Sequence, residues 1–193
     1  TELVPVALLG RFRKYFPCKE IASLDRPLAR VRAVKTPYEL GILKLAGALH
    51  RRIMEEGVPM LLREGVSEAE FGSDLFSLMV RAGHQGTVRF GMFGVDIAVG
   101  QLGFGVNSIY PTSFDGPGGC LGIGPAAPVL GSRDRRLQTG DLVFVDVGFA
   151  MDGYHTDKTM VYMFGRSLPD EAILIHGQCV EIQRELARLI RPG

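Results

Sequence analysis

The chain has 193 residues, enough for one sizeable domain with its own hydrophobic core. Its 22 basic and 21 acidic residues leave a net charge near +1 with no long basic run, which argues against a nucleic-acid partner. No apolar run approaches the ~18 residues of a membrane span, and three widely spaced cysteines without a secretory signal predict a reduced, cytoplasmic protein.

The first 32 residues carry weak structural signals. They combine a short apolar stretch, VPVALLG, with the basic segment RFRKYF and a turn at Pro17. This pattern predicts a strand and a helix rather than a complete domain. The chain also begins without methionine and in the middle of a pattern, so we expect a piece of a longer protein.

Two amphipathic helices come next, in TPYELGILKLAGALHRRIMEEG and SEAEFGSDLFSLMVRAG. Each opens with a capping box, in which a hydroxyl residue and a glutamate three positions later satisfy each other's backbone N–H groups. Glycine or proline should end each helix. The boxes pair Thr36 with Glu39 and Ser67 with Glu70, and the stop signals are Gly57 with Pro59 and Gly83.

The region between residues 86 and 131 changes character. The segment VRFGMFGVDIAVG alternates as short strands do, but SFDGPGGCLGIGPAAP is crowded with glycine and proline and predicts loops. Such loops often line active sites, and they can equally be a long surface connection. Both interpretations remain open at this point.

A hairpin and a last helix complete the pattern. DLVFVDVGF and GYHTDKTMVYMF predict two strands joined by the tight AMDG connection. An amphipathic helix is predicted over residues 169–189. Because helices precede and follow an antiparallel sheet, the sequence predicts an α+β fold.

Two aspartates, Asp146 and Asp157, lie on opposite strands of the predicted hairpin. Facing residues of an antiparallel hairpin have numbers with a constant sum. A two-residue loop at 151–152 would pair Asp146 with Asp157, whereas a loop at 152–153 would shift the partner by two residues. Because strand side chains alternate between faces, both registers place the two carboxylates and Thr159 on one face.

Two like charges on an apolar ribbon repel each other and are poorly solvated. A divalent cation would relieve both problems, and oxygen donors suit a hard or borderline metal. In the alternative, one aspartate faces solvent on an edge strand and the other pairs with an arginine. The spacing of Asp146 and Asp157 alone leaves both possibilities open.

The segment GDLVFVDVGFAMDGYHTDKT resembles the first half of the metal site in the creatinase/prolidase/aminopeptidase P superfamily, the pita-bread metallohydrolases. RVRAVKTPYELGILKLAGAL and REGVSEAEFGSDL resemble the two opening helices of its proline-peptidase branch. The resemblance implies the N-terminal half of a pita-bread catalytic domain, with helices packed on a curved antiparallel sheet. Residues 1–32 would then be the tail of a preceding N-terminal domain or a linker, and residues 33–193 the incomplete first half.

The same resemblance implies a hydrolase similar to Xaa-Pro aminopeptidase or prolidase, which cleaves a peptide bond beside proline through a water activated by two divalent ions. Manganese is the first expectation, with cobalt, zinc and iron as alternatives. Asp146 and Asp157 would bind the ions, Thr159 would support them, and loops within residues 100–128 would wall the pocket. The full-length protein is expected to be a homodimer.

The match also has gaps. The family's remaining ligands, a histidine and two later glutamates, find no counterpart after Asp157, so this chain alone is expected to bind metal weakly or not at all and to be inactive. Val129 stands where peptidase members place a histidine, and Met160 where they carry arginine. Val129, at that matching position, and His155, which shares a face with Asp157, are candidate pocket residues. Two alternatives follow: a catalytically degenerate binding module, or a relative with amidinohydrolase or lyase chemistry.

The other histidines, the loose GxGxxA match and Cys120 have simpler interpretations. His50 and His176 lie in helical patterns and are expected at the surface or internally satisfied, and His84 is a candidate partner for a helix C-terminus. GIGPAA lacks the strand and helix of a dinucleotide site. Cys120 is expected to be structural or free.

Overall fold

The computed structural model describes residues 4–91, 96–109, 122–123 and 131–191. Within these ranges the chain forms six α-helices and five β-strands. In chain order they are α1 (Val6–Tyr15), α2 (Asp25–Ala33), α3 (Pro37–Arg52), α4 (Val58–Leu61), α5 (Glu68–Arg81), β1 (Val88–Arg89), β2 (Asp96–Ile97), β3 (Gly100–Phe104), β4 (Leu142–Met151), β5 (Tyr154–Met163) and α6 (Asp170–Leu189).

Helices α3 and α5 begin at the capping boxes that the sequence predicts. The Thr36 hydroxyl accepts the Glu39 N–H at 3.3 Å, and the Glu39 carboxylate accepts the Thr36 N–H at 2.6 Å. Ser67 and Glu70 repeat this exchange at 3.2 and 2.8 Å. Helix α5 ends where predicted, because Gly83 leaves the helical region at φ +104°.

The predicted stop at Gly57 and Pro59 is wrong. A π-helical turn, Ile53–Gly57, continues α3 into α4. Pro59 removes one N–H donor from this continuous helix, and the Met54 carbonyl in the preceding turn accepts the Tyr162 hydroxyl at 2.6 Å. Gly57 has a packing role instead, because a Cβ there would lie 2.5 Å from Cδ2 of Leu78 in α5.

The strand expected near the beginning of the chain is also wrong. The apolar stretch continues directly into the basic segment as helix α1, since no turn signal separates the two. Neither α1 nor α2 contains a buried residue. These two helices therefore lie outside the hydrophobic core.

The central sheet is antiparallel with strand order β3-β4-β5, and β1 pairs separately with β2. The valines of β4 alternate into the core with Phe149, where α3 packs against both β4 and β5. The loop prediction for residues 100–128 is wrong over residues 100–104, which form the fully buried strand β3. Residues 110–121 and 124–130 lie outside the described ranges.

Two buried histidines lie beside Phe149 on the helix-facing side of the sheet. The rings of His50 and His84 lie 5.8 and 5.4 Å from the Phe149 ring. His50 is 1% exposed, its Nδ1 is 3.0 Å from Oγ1 of Thr156, and burial lowers its pKa to about 4. His84 Nδ1 accepts the Ala150 N–H at 2.9 Å, so its ring joins α5 to β4 instead of acting as a charged partner of the helix end.

The buried ring of His50 predicts acid sensitivity. The unfolded chain binds a proton below pH 6.5, whereas the folded chain excludes it down to about pH 4. The free energy of unfolding should therefore fall between those values by up to ~3 kcal/mol, since a pKa unit is worth ~1.4 kcal/mol. Denaturant unfolding across this range should show a smaller decrease in His50→Gln, whose amide stays neutral, and the decrease that remains should come from His84, whose pKa burial also lowers.

His176 provides the matched control, because it is exposed on α6. His176→Gln should keep the native dependence of unfolding free energy on pH. A His50→Gln variant with the native dependence would contradict the assignment to His50.

Helix α6 covers Asp170–Leu189, one residue from the predicted start, and none of its residues is buried. Among the described residues, no helix combines the length and apolar character needed to cross a membrane.

Candidate metal centre

The register of the β4–β5 hairpin determines how the two aspartates meet. The turn lies at Asp152 and Gly153, with φ values of +50° and +83° that suit a tight hairpin turn. Asp146 therefore pairs with Thr159, and Asp157 pairs with Gly148. Of the two registers that the sequence allows, the shifted one occurs, so the carboxylates are diagonal neighbours on one face of the sheet.

Hydrogen bonding and charge distinguish the two carboxylates. The Thr159 hydroxyl donates to Oδ1 of Asp146 at 2.5 Å. Asp146 is half-buried, whereas Asp157 as a whole residue is exposed. The pKa of Asp157 is raised, first by desolvation of its carboxyl group and then by the negative charge of Asp146. The pair therefore has the mutual repulsion that a bound cation would remove.

The donors on this face fit part of a metal site. Two carboxylates supply hard oxygen ligands of the kind that Mn²⁺ and similar ions accept. Within the described ranges, neither aspartate forms an ion pair with a basic side chain. The same ranges contain no group of three or more His, Cys, Asp or Glu arranged to hold a metal ion. A complete coordination shell would need further ligands.

Of the other predicted site residues that the structure describes, His155 lies on the face of the two aspartates and Met160 does not. His155 pairs with Ala150 and therefore lies on the same face as Asp157. Its Nε2 accepts the Arg89 N–H at 3.4 Å, and it lines a cavity of about 650 Å³ beside the hairpin turn. Met160 pairs with Val145 on the helix-facing side. Val129 lies outside the described residues.

Sequence reasoning missed Gln101, which lies beside Asp146 in the neighbouring strand. Gln101 is the Cα partner of Asp146 in the β3–β4 ladder and is 1% exposed. Neither atom of its amide group has a hydrogen-bond partner in the described part of the chain. The alternation of GQLGF, with Leu102 and Phe104 in the core, is the signal that could have identified this strand.

Gly100 allows strand β3 to approach the candidate site closely. A Cβ at this position would lie 2.1 Å from the backbone oxygen of Asp146, and its φ is +148°. Only glycine avoids both the overlap and the unfavourable backbone conformation. The sequence therefore brings Gln101 next to Asp146 through the glycine before it.

Glu68 is a second residue that sequence reasoning missed. It is fully buried in the first turn of α5, and its carboxylate accepts the N–H groups of Phe104 and Ser132, each at 2.7 Å. The Asn107 amide donates to the same carboxylate at 3.2 Å. Desolvation is the largest influence on Glu68 and raises its pKa, while these donors oppose it. Glu68 thereby joins α5 to the end of β3 and to residue 132.

Comparison with known proteins gives a consistent result. The profile of the family described as Metallopeptidase family M24 matches residues 41–193. A probable dipeptidase PepE of Mycobacterium tuberculosis is 33% identical over 168 residues, which cover 86% of this chain and 37% of the relative. An uncharacterized peptidase of Staphylococcus aureus is 24% identical over 193 residues and is covered to 47%. The chain thus spans less than half the length of these relatives.

Solved structures agree on the fold. Dipeptidase PepE from Mycobacterium ulcerans matches with a TM-score of 0.61 at 28% identity, over 89% of this chain and 39% of that one. X-Pro aminopeptidase from Thermotoga maritima gives 0.66 at 23%, over 95% and 44%. Xaa-Pro dipeptidase from Bacillus anthracis gives 0.68 at 21%, over 94% and 43%. The predicted α+β fold of the pita-bread class, present as a partial domain, is confirmed.

Proposed function

The chain belongs to metallopeptidase family M24, and from that premise we propose that its complete protein is a metal-dependent hydrolase that cleaves a peptide bond beside proline. The observation that carries the proposal is the placement of Asp146 and Asp157 on one face of the β4–β5 hairpin. Two solved structures with the same fold are named as an X-Pro aminopeptidase and an Xaa-Pro dipeptidase, which supports this choice of substrate.

Four residues of the hairpin have roles in this proposal. Asp146 and Asp157 would hold two divalent ions, with Mn²⁺ as the first choice because the donors are carboxylate oxygens. Such ions supply a Lewis acid for the substrate carbonyl and lower the pKa of a water. Thr159 orients Asp146 through the 2.5 Å hydrogen bond. His155, on the same face, would contact the peptide.

Two observations bear on whether this chain could bind metal and hydrolyse peptide by itself. The described residues contribute two carboxylates, and the chain spans less than half of its relatives. We therefore propose that residues 33–193 are the first half of the catalytic domain, after a linker or domain tail over 1–32, and that they bind metal weakly and do not turn over peptide by themselves. A cytoplasmic homodimer is the proposed state of the complete protein.

The position of Met160 bears on the alternative of a degenerate binding module. Its side chain extends the core on the helix-facing side, where Tyr162 Oη lies 3.6 Å from its sulfur. The methionine therefore changes the opposite side of the sheet from the carboxylates. Because the methionine leaves the face of the carboxylates unchanged, its placement supports the peptidase proposal over the degenerate binding module.

The proposal is tested by hydrolysis of the dipeptide Ala-Pro by the complete protein, first stripped of metal with a chelator and then given Mn²⁺. We expect release of proline that depends on added metal. Tight Mn²⁺ binding without release of proline would favour amidinohydrolase or lyase chemistry. Absence of Mn²⁺ binding in the complete protein would favour the binding module.

Thr159 offers a narrower test of the same site. Thr159→Val removes the hydroxyl that orients Asp146, and we expect Mn²⁺ affinity to fall by about tenfold, as is usual when an outer hydrogen bond to a ligand is lost. Titration calorimetry of the complete protein measures the change. Thr159→Ser keeps the hydroxyl and should bind Mn²⁺ as the native protein does, so equal losses in both variants would exclude a role for this hydrogen bond.

A further inference from the structure

The side chain of Gln101 has no structural explanation in the fold around it. It is 1% exposed, and both its Nε2 and its Oε1 lack hydrogen-bond partners among the described residues. Buried polar groups in proteins are nearly always paired, because an unpaired one loses its hydration without compensation. An amide whose donor and acceptor are both unpaired therefore points to a partner outside the described part of the chain.

Asn107 carries a second buried side-chain amide, and this amide does have a hydrogen-bond partner. It is also buried, and its Nδ2 donates to both oxygens of the Glu68 carboxylate, at 3.2 and 3.3 Å. The fold therefore does satisfy a buried amide within the same region. One ring nitrogen each of His50 and His84 is also unpaired, but among the buried polar side chains of the described residues only Gln101 has neither its donor nor its acceptor paired.

That position is next to the candidate metal centre. The ladder places Gln101 and Thr159 on the two sides of Asp146, in β3 and β5, on the face that also carries Asp157. Leu102 and Phe104 point to the opposite face, into the core. Three strands thus contribute one polar side chain each to a single row across the sheet.

We propose that the Gln101 carboxamide is a binding group of this site, which donates through Nε2 to a ligand oxygen held in front of Asp146. The inference rests on the proposed function for the nature of that oxygen, which is a water or the carbonyl of a peptide substrate. A neutral amide suits this position, because a third negative charge would add to the repulsion between Asp146 and Asp157. Its Oε1 remains available to accept a hydrogen from the same water or from a substrate N–H.

The test replaces Gln101 with apolar side chains of similar size, Gln101→Met and Gln101→Leu, in the complete protein. Without ligands, both variants should melt about 2–5 °C higher than the native protein, because the unpaired amide is gone. Mn²⁺ affinity is then measured by calorimetry, and kcat and KM for Ala-Pro are measured separately. Asn107→Ala is the control, because removal of a satisfied amide should lower the melting temperature and leave Mn²⁺ affinity unchanged.

Two results would support the inference and identify the oxygen. A loss of Mn²⁺ affinity of about tenfold indicates a water at the metal site. Unchanged Mn²⁺ affinity with a KM raised about tenfold and a smaller change in kcat indicates the substrate carbonyl. A higher melting temperature with metal affinity and kinetics unchanged would overturn the proposal, as would a lower melting temperature in both variants, which would show a structural role.

The melting and Mn²⁺ measurements need no peptidase activity. If the native protein does not hydrolyse Ala-Pro, the proposed function fails. The inference about Gln101 would still be supported by a higher melting temperature with weaker Mn²⁺ binding, and would be overturned if Mn²⁺ affinity were unchanged in that case.

Discussion

Replacement of Asp146 by asparagine should abolish most Mn²⁺ binding by the complete protein and, with it, hydrolysis of Ala-Pro. Asparagine keeps the shape of the side chain and can still accept the hydrogen bond from Thr159, but it removes the negative charge. We expect affinity to fall by more than the roughly 10–100-fold that loss of an outer partner causes. Calorimetry and metal analysis of the purified variant provide the measurement.

A second consequence of Asp146→Asn needs no metal. The charge of Asp146 is one of the two causes that raise the pKa of Asp157, after desolvation. That pKa should therefore move down in the variant, and an NMR titration of the Asp157 carboxyl carbon in the metal-free protein detects the shift.

The hairpin provides a matched control in Asp152. This exposed residue in the turn has φ +50°, a conformation that asparagine adopts readily. Asp152→Asn makes the same chemical change in the same hairpin and should leave Mn²⁺ affinity unaltered. Native metal content in Asp146→Asn would show that Asp146 is not a ligand.

The largest expected effect on stability comes from Glu68→Ala. The change leaves the N–H groups of Phe104 and Ser132 and the Asn107 amide without their acceptor. Each buried donor left unpaired costs ~1–3 kcal/mol. We therefore expect the free energy of unfolding to fall by about 3–5 kcal/mol, measured by urea denaturation.

Glu70→Ala is the appropriate comparison, because Glu70 lies in the same helical turn and is exposed at its side chain. It removes half of a capping box and should cost only about 1 kcal/mol. Similar losses in the two variants would mean that the buried contacts of Glu68 contribute little. Since Glu68 holds the end of β3, its loss should also disturb the strand that carries Gln101.

Short-range signals in the sequence predicted much of the fold. The capping boxes at Thr36 and Ser67, the glycine that ends α5 and the tight turn between β4 and β5 each depend on residues within about four positions of one another. Their geometry is therefore set by local hydrogen bonds and backbone preferences. Alternation along two strands then predicts that Asp146 and Asp157 share a face in either register.

The same local reasoning failed where a distant contact decides the structure. Gly57 looks like a helix stop, but its missing side chain leaves room for Leu78 of α5 to pack against it. The segment from Gly100 looks like a loop because of its glycine, yet that glycine permits close pairing with β4. In both cases the absence of a side chain serves packing, which sequence alone does not distinguish from a turn.

By itself, the sequence determined the α+β class and the pair of carboxylates on one face, because these follow from periodicity and turn chemistry within short segments. The family resemblance rests on the motifs of the two opening helices and the hairpin. Only the tertiary structure decided that Thr159 faces Asp146 and that Gln101 lies unpaired at its other side. It also decided that the buried Glu68 carboxylate accepts hydrogen bonds from three donor groups. These relations join residues separated by 13 to 64 positions, and their free energy comes from desolvation and pairing that exist only once the chain has folded.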